Sequence, residues 1–266
     1  MSLSVVGNYL RLTWDIKKLV LATAMSYRAS FLVQVLGMFF NDGAWMLLWY
    51  IFFKRFPAIQ GWGFHEMVMI YAFGTLVYAL CELPCDGISE LARYIVTGQL
   101  DIYLTGPKNV LWSLAISKTD IAALGDGLFG LIMLVCAYGF APCKIAWFLL
   151  ITCLAAVLFI DFMLVIQSMA FWLGDIEDVA KRFVHMIINF MMYPQSVFTG
   201  WLKFVMMTIL PAFFMVTVPT ELIREFNLFY FAILLLSVIL ATAFALWFFN
   251  KGLARYESGN LMVTRQ

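Results

Sequence analysis

Three aspartates lie where water is scarce. Asp42 sits beside Asn41 in the middle of one apolar stretch, Asp161 near the middle of another, and Asp126 towards the start of a third. Inserting an ionised aspartate at the centre of a membrane helix costs about 2.5–3.5 kcal/mol. No Lys or Arg occurs at matching depth to pair with them. Such a carboxyl is protonated, hydrogen-bonded between helices to a partner such as Gln34, Asn41, Gln167 or Asn189, or exposed to a wet cavity. The roles open to Asn41, Asp42, Asp126 and Asp161 are therefore proton or cation handling, lining of a polar route, or bracing of helices.

Two other motifs touch the same residues. Paired aspartates sharing a proton activate water, and intramembrane aspartyl proteases carry Gly-x-Gly-Asp on one helix and a second aspartate on another. Here the tetrad is Ala123-Leu124-Gly125-Asp126, which lacks the first glycine, and Asp161 has no supporting motif. Gly125, Gly127 and Gly130 spell G-x-G-x-x-G, but no strand precedes them, so nucleotide binding is not expected. Ala123 and Gly127, four apart, instead suit a close helix–helix approach. No G-x-x-x-x-G-K-[ST] occurs, so the chain carries no phosphate-binding loop for ATP. Cys81, Cys85, Cys136, Cys143 and Cys153, with only His65 and His185 beside them, make a poor metal pattern. No metal and no other cofactor is expected.

The elements that position these residues follow from composition. Apolar residues make up 64% of the 266 and charged residues 12%, against about 45–50% and 25% in soluble domains. That excess cannot be hidden in one core, so part of the surface must face lipid. The net charge of +1 and the absence of a basic stripe give no reason to expect nucleic acid. Six spans are expected: Phe31–Phe53, Met67–Leu83, Ile121–Phe140, Ile145–Leu173, Phe183–Phe198 and Leu228–Phe249. Residues 1–30 form an interfacial helix, with Val6, Leu10 and Trp14 on one side and Arg11, Asp15 and Lys18 on the other. They read as structure and not as a cleaved signal. Residues 200–222, broken by Pro211 and Pro219, read as a re-entrant helical pair, Trp201–Leu210 and Ala212–Val218, before the last span. The fold class is an all-α membrane protein with one permease domain over 1–266. Twelve of the 17 Lys and Arg then fall on the side that holds both termini, which makes that side cytoplasmic. The largest loop there, residues 84–117, contains an expected short helix, Ile88–Val96, followed by Gly98-Gln99-Leu100-Asp101. It is a natural docking surface.

These pieces, in this order, resemble the membrane subunits of ABC-2 type exporters, in particular a bacterial branch. The resemblance runs through Tyr27-Arg28-Ala29-Ser30-Phe31, Gly98-Gln99-Leu100-Asp101, Leu104, Pro107, Phe171-Trp172-Leu173-Gly174, Tyr193-Pro194, Pro211, Pro219 and Gly252-Leu253-Ala254-Arg255-Tyr256-Glu257-Ser258. It departs at Val96-Thr97 and Gly106, where family members often carry basic residues. The resemblance implies a six-span exporter subunit in the bacterial cytoplasmic membrane, lacking its own ATPase. It would pair with itself or a sister permease, surrounded by lipid. A cytoplasmic ATPase subunit would dock on the 84–117 loop through Arg93, Gly98, Gln99, Leu100, Asp101 and Pro107. The rival reading is a proton- or cation-coupled secondary transporter using the same aspartates. An intramembrane aspartyl protease using Asp126 and Asp161 is the more distant one.

Overall fold

The computed structural model describes residues 3–59, 61–193, 200–201 and 213–257, and everything below concerns these. They are almost wholly helical, and the one β contact is an isolated bridge between Ile59 and Trp62. Four helices are long and apolar enough to cross a membrane: α2 (Arg28–Arg55), α3 (Phe64–Cys85, which runs on through short turns to Val96), α8 (Pro142–Ser168, continued by α9, Ala170–Leu173) and α12 (Leu228–Leu253). Helix α7 (Ala123–Tyr138) is apolar but only 16 residues, about 24 Å at 1.5 Å per residue.

Burial sorts these helices. The apolar stretch of α3 is 72% buried and that of α8 56%, against 17% for α2 and 11% for α12. α3 and α8 are therefore the centre, and α2 and α12 present apolar flanks outward. α7 closes on α2 and α3 through its glycines. A Cβ on Gly125 would strike the Val35 carbonyl oxygen, one on Gly127 would sit 3.3 Å from Ala79 Cβ, and one on Gly130 would sit 2.6 Å from Thr75 Oγ1. The G-x-G-x-x-G pattern is thus a packing surface, with Gly125 and Gly130 joining Gly127 in that role.

Helix α10 (Glu177–Met191) begins six residues before the expected span at Phe183. It is amphipathic: Ala180, Val184, Ile187 and Met191 are buried on one face, while Val179, Arg182 and Phe183 are exposed. Pro194, Pro211 and nearly all of Trp201–Leu210 lie outside the described residues. The later half of the expected re-entrant pair is a π-helical turn, Phe213–Thr217, running into α11 (Val218–Arg224). Pro219 sits where the π-helical turn passes into α11, and its missing N–H interrupts the backbone ladder at that change. The last carbonyls of α11 take donors from neighbouring helices. Trp147 Nε1 donates to Leu222 O at 2.9 Å and the Tyr138 hydroxyl to Ile223 O at 3.3 Å.

The N-terminal helix α1 (Leu3–Ser26) leaves Leu10, Trp14 and Leu19 exposed, as an interfacial helix would. Residues 86–117 fold into a unit of their own. A 3-10 turn, Asp86–Glu90, leads to α4 (Leu91–Val96), α5 (Asp101–Leu104) and α6 (Val110–Ala115). The helix expected at Ile88–Val96 thus splits in two. Leu91, Ile95, Leu100 and Leu114 are fully buried beneath it.

Candidate functional site

Two places bring the candidate residues together. The first is a cavity of about 220 Å³ between α2, α3, α7 and α10. Each wall is a helical stripe. α2 supplies Asn41, Asp42, Trp45 and Trp49, α3 supplies Tyr71 and Tyr78, and α10 supplies His185 and Asn189. Asp126 enters from the first turn of α7, where the helix dipole favours a negative group.

Asp42 and Asp126 are 3% and 2% exposed, and their carboxyl groups lie side by side. The Tyr71 hydroxyl donates to Asp42 Oδ1 at 3.5 Å, long for an O–H···O bond. Oδ2 of Asp42 and Oδ2 of Asp126 meet no donor among the described residues. No Lys or Arg lines the cavity. Such an arrangement attracts positive charge.

Asp161 is elsewhere. Its Oδ2 accepts from Thr242 Oγ1 at 2.6 Å, joining α8 to α12 beside a separate, mostly apolar cavity of about 800 Å³. The pairing of Asp126 with Asp161 that a protease would need is not assembled: Asp126 has Asp42 as its neighbour, and Asp161 has Thr242. Of the polar residues expected to serve the aspartates, Asn41 and Asn189 line the acidic cavity. Gln34 Nε2 donates instead to Ser30 on its own helix.

The second place is the 86–117 unit and what grips it. Gln167 of α8 is fully buried, and its side-chain oxygen accepts from Ala92 N at 3.1 Å while Nε2 donates to Ser89 O at 2.7 Å. From the other side α1 holds the unit and the two residues that follow it. Lys17 Nζ donates to Lys118 O at 2.6 Å and Thr119 Oγ1 at 2.7 Å, and the Tyr9 hydroxyl accepts from Asn109 N at 3.2 Å. Burial pulls the Lys17 ammonium below its ordinary value, and the nearby Cys85 and Asp86 counter it. Lys108 lies over the Tyr9 ring, and Trp112 meets that ring edge-on.

Within the unit, Gly98 takes φ +73° and ends α4, turning the chain so that Leu100 N reaches Tyr94 O at 3.1 Å. Leu100 is fully buried and anchors the turn, whereas Gln99, Ile102 and Pro107 are exposed. Asp101 stands beside Tyr256; burial first and this carboxylate second push the Tyr256 hydroxyl up to about 12. Tyr256 also packs on Phe171, and a Cβ on Gly252 would run into the same ring. Three separated stretches, around Asp101, Phe171 and Gly252, therefore meet at one corner.

Arg93 pairs with Glu90 at 2.6 Å, and Glu90 also reaches Lys118 at 3.1 Å and Lys181 at 4.0 Å. One carboxylate thus ties α4, the segment before α7 and the start of α10. Replacing Glu90 by Gln leaves three half-exposed cations without their common partner. The expected cost is about 1 kcal/mol, read as a lower unfolding midpoint in detergent. Lys118→Met, which removes only one of the three contacts, is expected to cost less. Equal losses from both variants would show that Glu90 is not the hub.

The sequence reading missed Tyr71, Glu90, Gln167 and Lys17 as site residues. A stripe was nonetheless present in α3: Tyr71, Thr75, Tyr78 and Glu82 recur at i, i+4, i+7 and i+11 in an otherwise apolar helix.

Among curated proteins none matches the chain. The family described as ABC-2 family transporter protein matches residues 39–259. That stretch runs from α2 beyond the end of α12 and holds both the acidic cavity and the 86–117 unit, and the chain belongs to this family of transporter membrane proteins.

Proposed function

We propose that the chain is the permease half of an ATP-driven exporter, worked from outside itself by an ATPase subunit that docks on residues 84–117. The observation that carries this reading is the 86–117 unit. It is a folded block clamped to α8 by Gln167 and to α1 by Tyr9, with Lys17 of α1 bonding Lys118 and Thr119 directly after it, and it offers Gln99, Ile102 and Pro107 outward, in a chain with no phosphate-binding loop. An exposed apolar residue such as Ile102 at the tip of a rigid block suits a partner surface. Gly98 and Leu100 shape the block from within, and Arg93 and Asp101 flank it.

In this reading six spans cross the membrane and both termini are cytoplasmic. The fifth of these is the expected span Phe183–Phe198, which begins within α10, and residues 200–222 are read as re-entrant. Lys17, Arg93, Lys118 and Lys181 come from distant stretches and gather around the 86–117 unit. This supports placing that end on the positively charged inner side. The outward apolar flanks of α2 and α12 suit lipid and a second permease. ATP binding by the partner would displace the block as a body. Gln167 would carry the displacement into α8, and Lys17 would carry it into α1.

The test is purification of the tagged chain expressed with its neighbouring genes. An ATPase subunit is expected to co-purify, and export is expected to stop when ATP is depleted. Export that persists without ATP and collapses with the ion gradient would overturn the reading in favour of a cation-coupled transporter.

A further inference from the structure

We propose that the cavity between α2, α3, α7 and α10 binds a small quaternary-ammonium cation, with Asp42 and Asp126 as its counter-charges and aromatic side chains as its walls. The proposal rests on the permease reading only for the meaning of the site as part of a transport route; binding itself stands on the geometry.

The argument begins from the carboxyls. Both are at least nine-tenths buried and lie within hydrogen-bond reach of each other, so that one proton shared between them leaves the pair a single uncompensated negative charge. A buried carboxylate without a donor costs free energy that only a positive or protonated neighbour offsets. The cavity supplies no Lys or Arg. An anion would be repelled, and a purely apolar guest would leave the charge of the pair unanswered.

The walls choose among cations. Trp45, Trp49, Tyr71 and Tyr193 line the cavity, and Trp49 and Tyr193 meet edge-on at 5.7 Å. Aromatic faces attract weakly hydrated organic cations. A hard inorganic ion instead wants six or more oxygens around it. The volume is about 220 Å³, roughly seven waters at about 30 Å³ each. That suits a choline-sized head and falls below the range of drug-sized pockets.

Access follows from the neighbouring cavity. A second one, about 500 Å³, shares Tyr78, His185 and Ile188 with the first and reaches Lys118 and Thr119, beside the 86–117 unit. Glu82, Asp86 and Asp120 line it against Lys118 and Lys181. The three carboxyls give a cation opposite charges to meet along the way.

The experiment is calorimetric titration of the purified full-length chain in detergent at constant ionic strength, using choline, its neutral isostere 3,3-dimethylbutan-1-ol, and sodium. Choline is expected to bind saturably, and the isostere and sodium are not. Asp42→Asn and Asp126→Asn are each expected to weaken choline at least about tenfold, since each removes a desolvated counter-charge. Trp45 is half-exposed, so Trp45→Leu keeps the fold even where an aspartate variant does not. It is expected to weaken choline about threefold. Equal binding of choline and the isostere would make the cavity merely apolar. Displacement of choline by sodium at matched concentration would assign it to an inorganic ion. No saturable choline binding, or unchanged affinity in all three variants, would mean that the two carboxyls only share a proton. Each of these results overturns the proposal. Because binding is read without ATP or a partner subunit, it fails or stands separately from the exporter reading.

Discussion

Gly87→Ala is expected to unfold the 86–117 unit, at a cost of about 3 kcal/mol or more, the upper end for overpacking. Gly87 lies in the 3-10 turn Asp86–Glu90, pressed against the end of α6. A Cβ there would overlap the Leu114 carbonyl oxygen, and it would stand 2.7 Å from Ser117 Oγ and 2.9 Å from the Leu114 carbonyl carbon. Two of these three atoms are backbone, so no rotamer change relieves the clash. The turn and α6 must part, which loosens the packing of Leu91, Ile95, Leu100 and Leu114 that the unit shares with α3 and α8. The check is the unfolding midpoint in detergent together with the yield of monodisperse protein. Gly7→Ala is the control. Nothing lies within 4 Å of a Cβ at Gly7, and in mid-helix Ala is favoured over Gly by up to about 1 kcal/mol. The two substitutions are thus expected to move the midpoint in opposite directions. A wild-type midpoint for Gly87→Ala would mean that the turn and α6 are not held together as described.

The helical membrane class was legible because α2, α3, α8 and α12 are each a long apolar run, and length and hydropathy alone mark such helices. Helix α10 was harder. Its polar first turn, from Glu177 to Arg182, breaks the run, and only the period of Ala180, Val184, Ile187 and Met191 reveals one helix. The acidic cavity was half legible. Asp42 and Asp126 stood out singly, because charge in an apolar run is costly wherever the helix lies. Which aspartate meets which depends on helix order in space, and Gly125 packing against Val35 brings α7 to α2. Asp161 on α8 is left to meet Thr242 on α12 instead. The grip on the 86–117 unit was not legible at all. Gln167 and Lys17 bond chiefly to backbone atoms, and any residue supplies those, so no partner residue type marks the contact.

Gln167→Leu is the second substitution expected to act strongly, and it separates holding from packing. Leucine matches glutamine closely in bulk, so the space on α8 stays filled. What disappears is the pair of hydrogen bonds to Ala92 N and Ser89 O. Ala92 lies in the first turn of α4, where the helix offers its N–H no carbonyl of its own. Ala92 N would be left buried and unpaired, at about 1–3 kcal/mol, and the half-buried Ser89 carbonyl would lose its donor. Gln167→Glu is not a conservative repair. It keeps an acceptor for Ala92 N but, when ionised, sets a second acceptor against the Ser89 carbonyl. The expected result for Gln167→Leu is faster hydrogen exchange and proteolysis confined to residues 86–104, with α8 itself protected as before. On the proposed coupling, export falls while the ATPase subunit still co-purifies, because Gln99, Ile102 and Pro107 keep their side chains and only the link from the unit to α8 is cut. Unchanged exchange across 86–104 would show that burial of Leu91, Ile95 and Leu100 alone fixes the unit to the spans. The movement would then have to pass through packing and through the α1 contacts, and Lys17 would become the residue on which coupling depends.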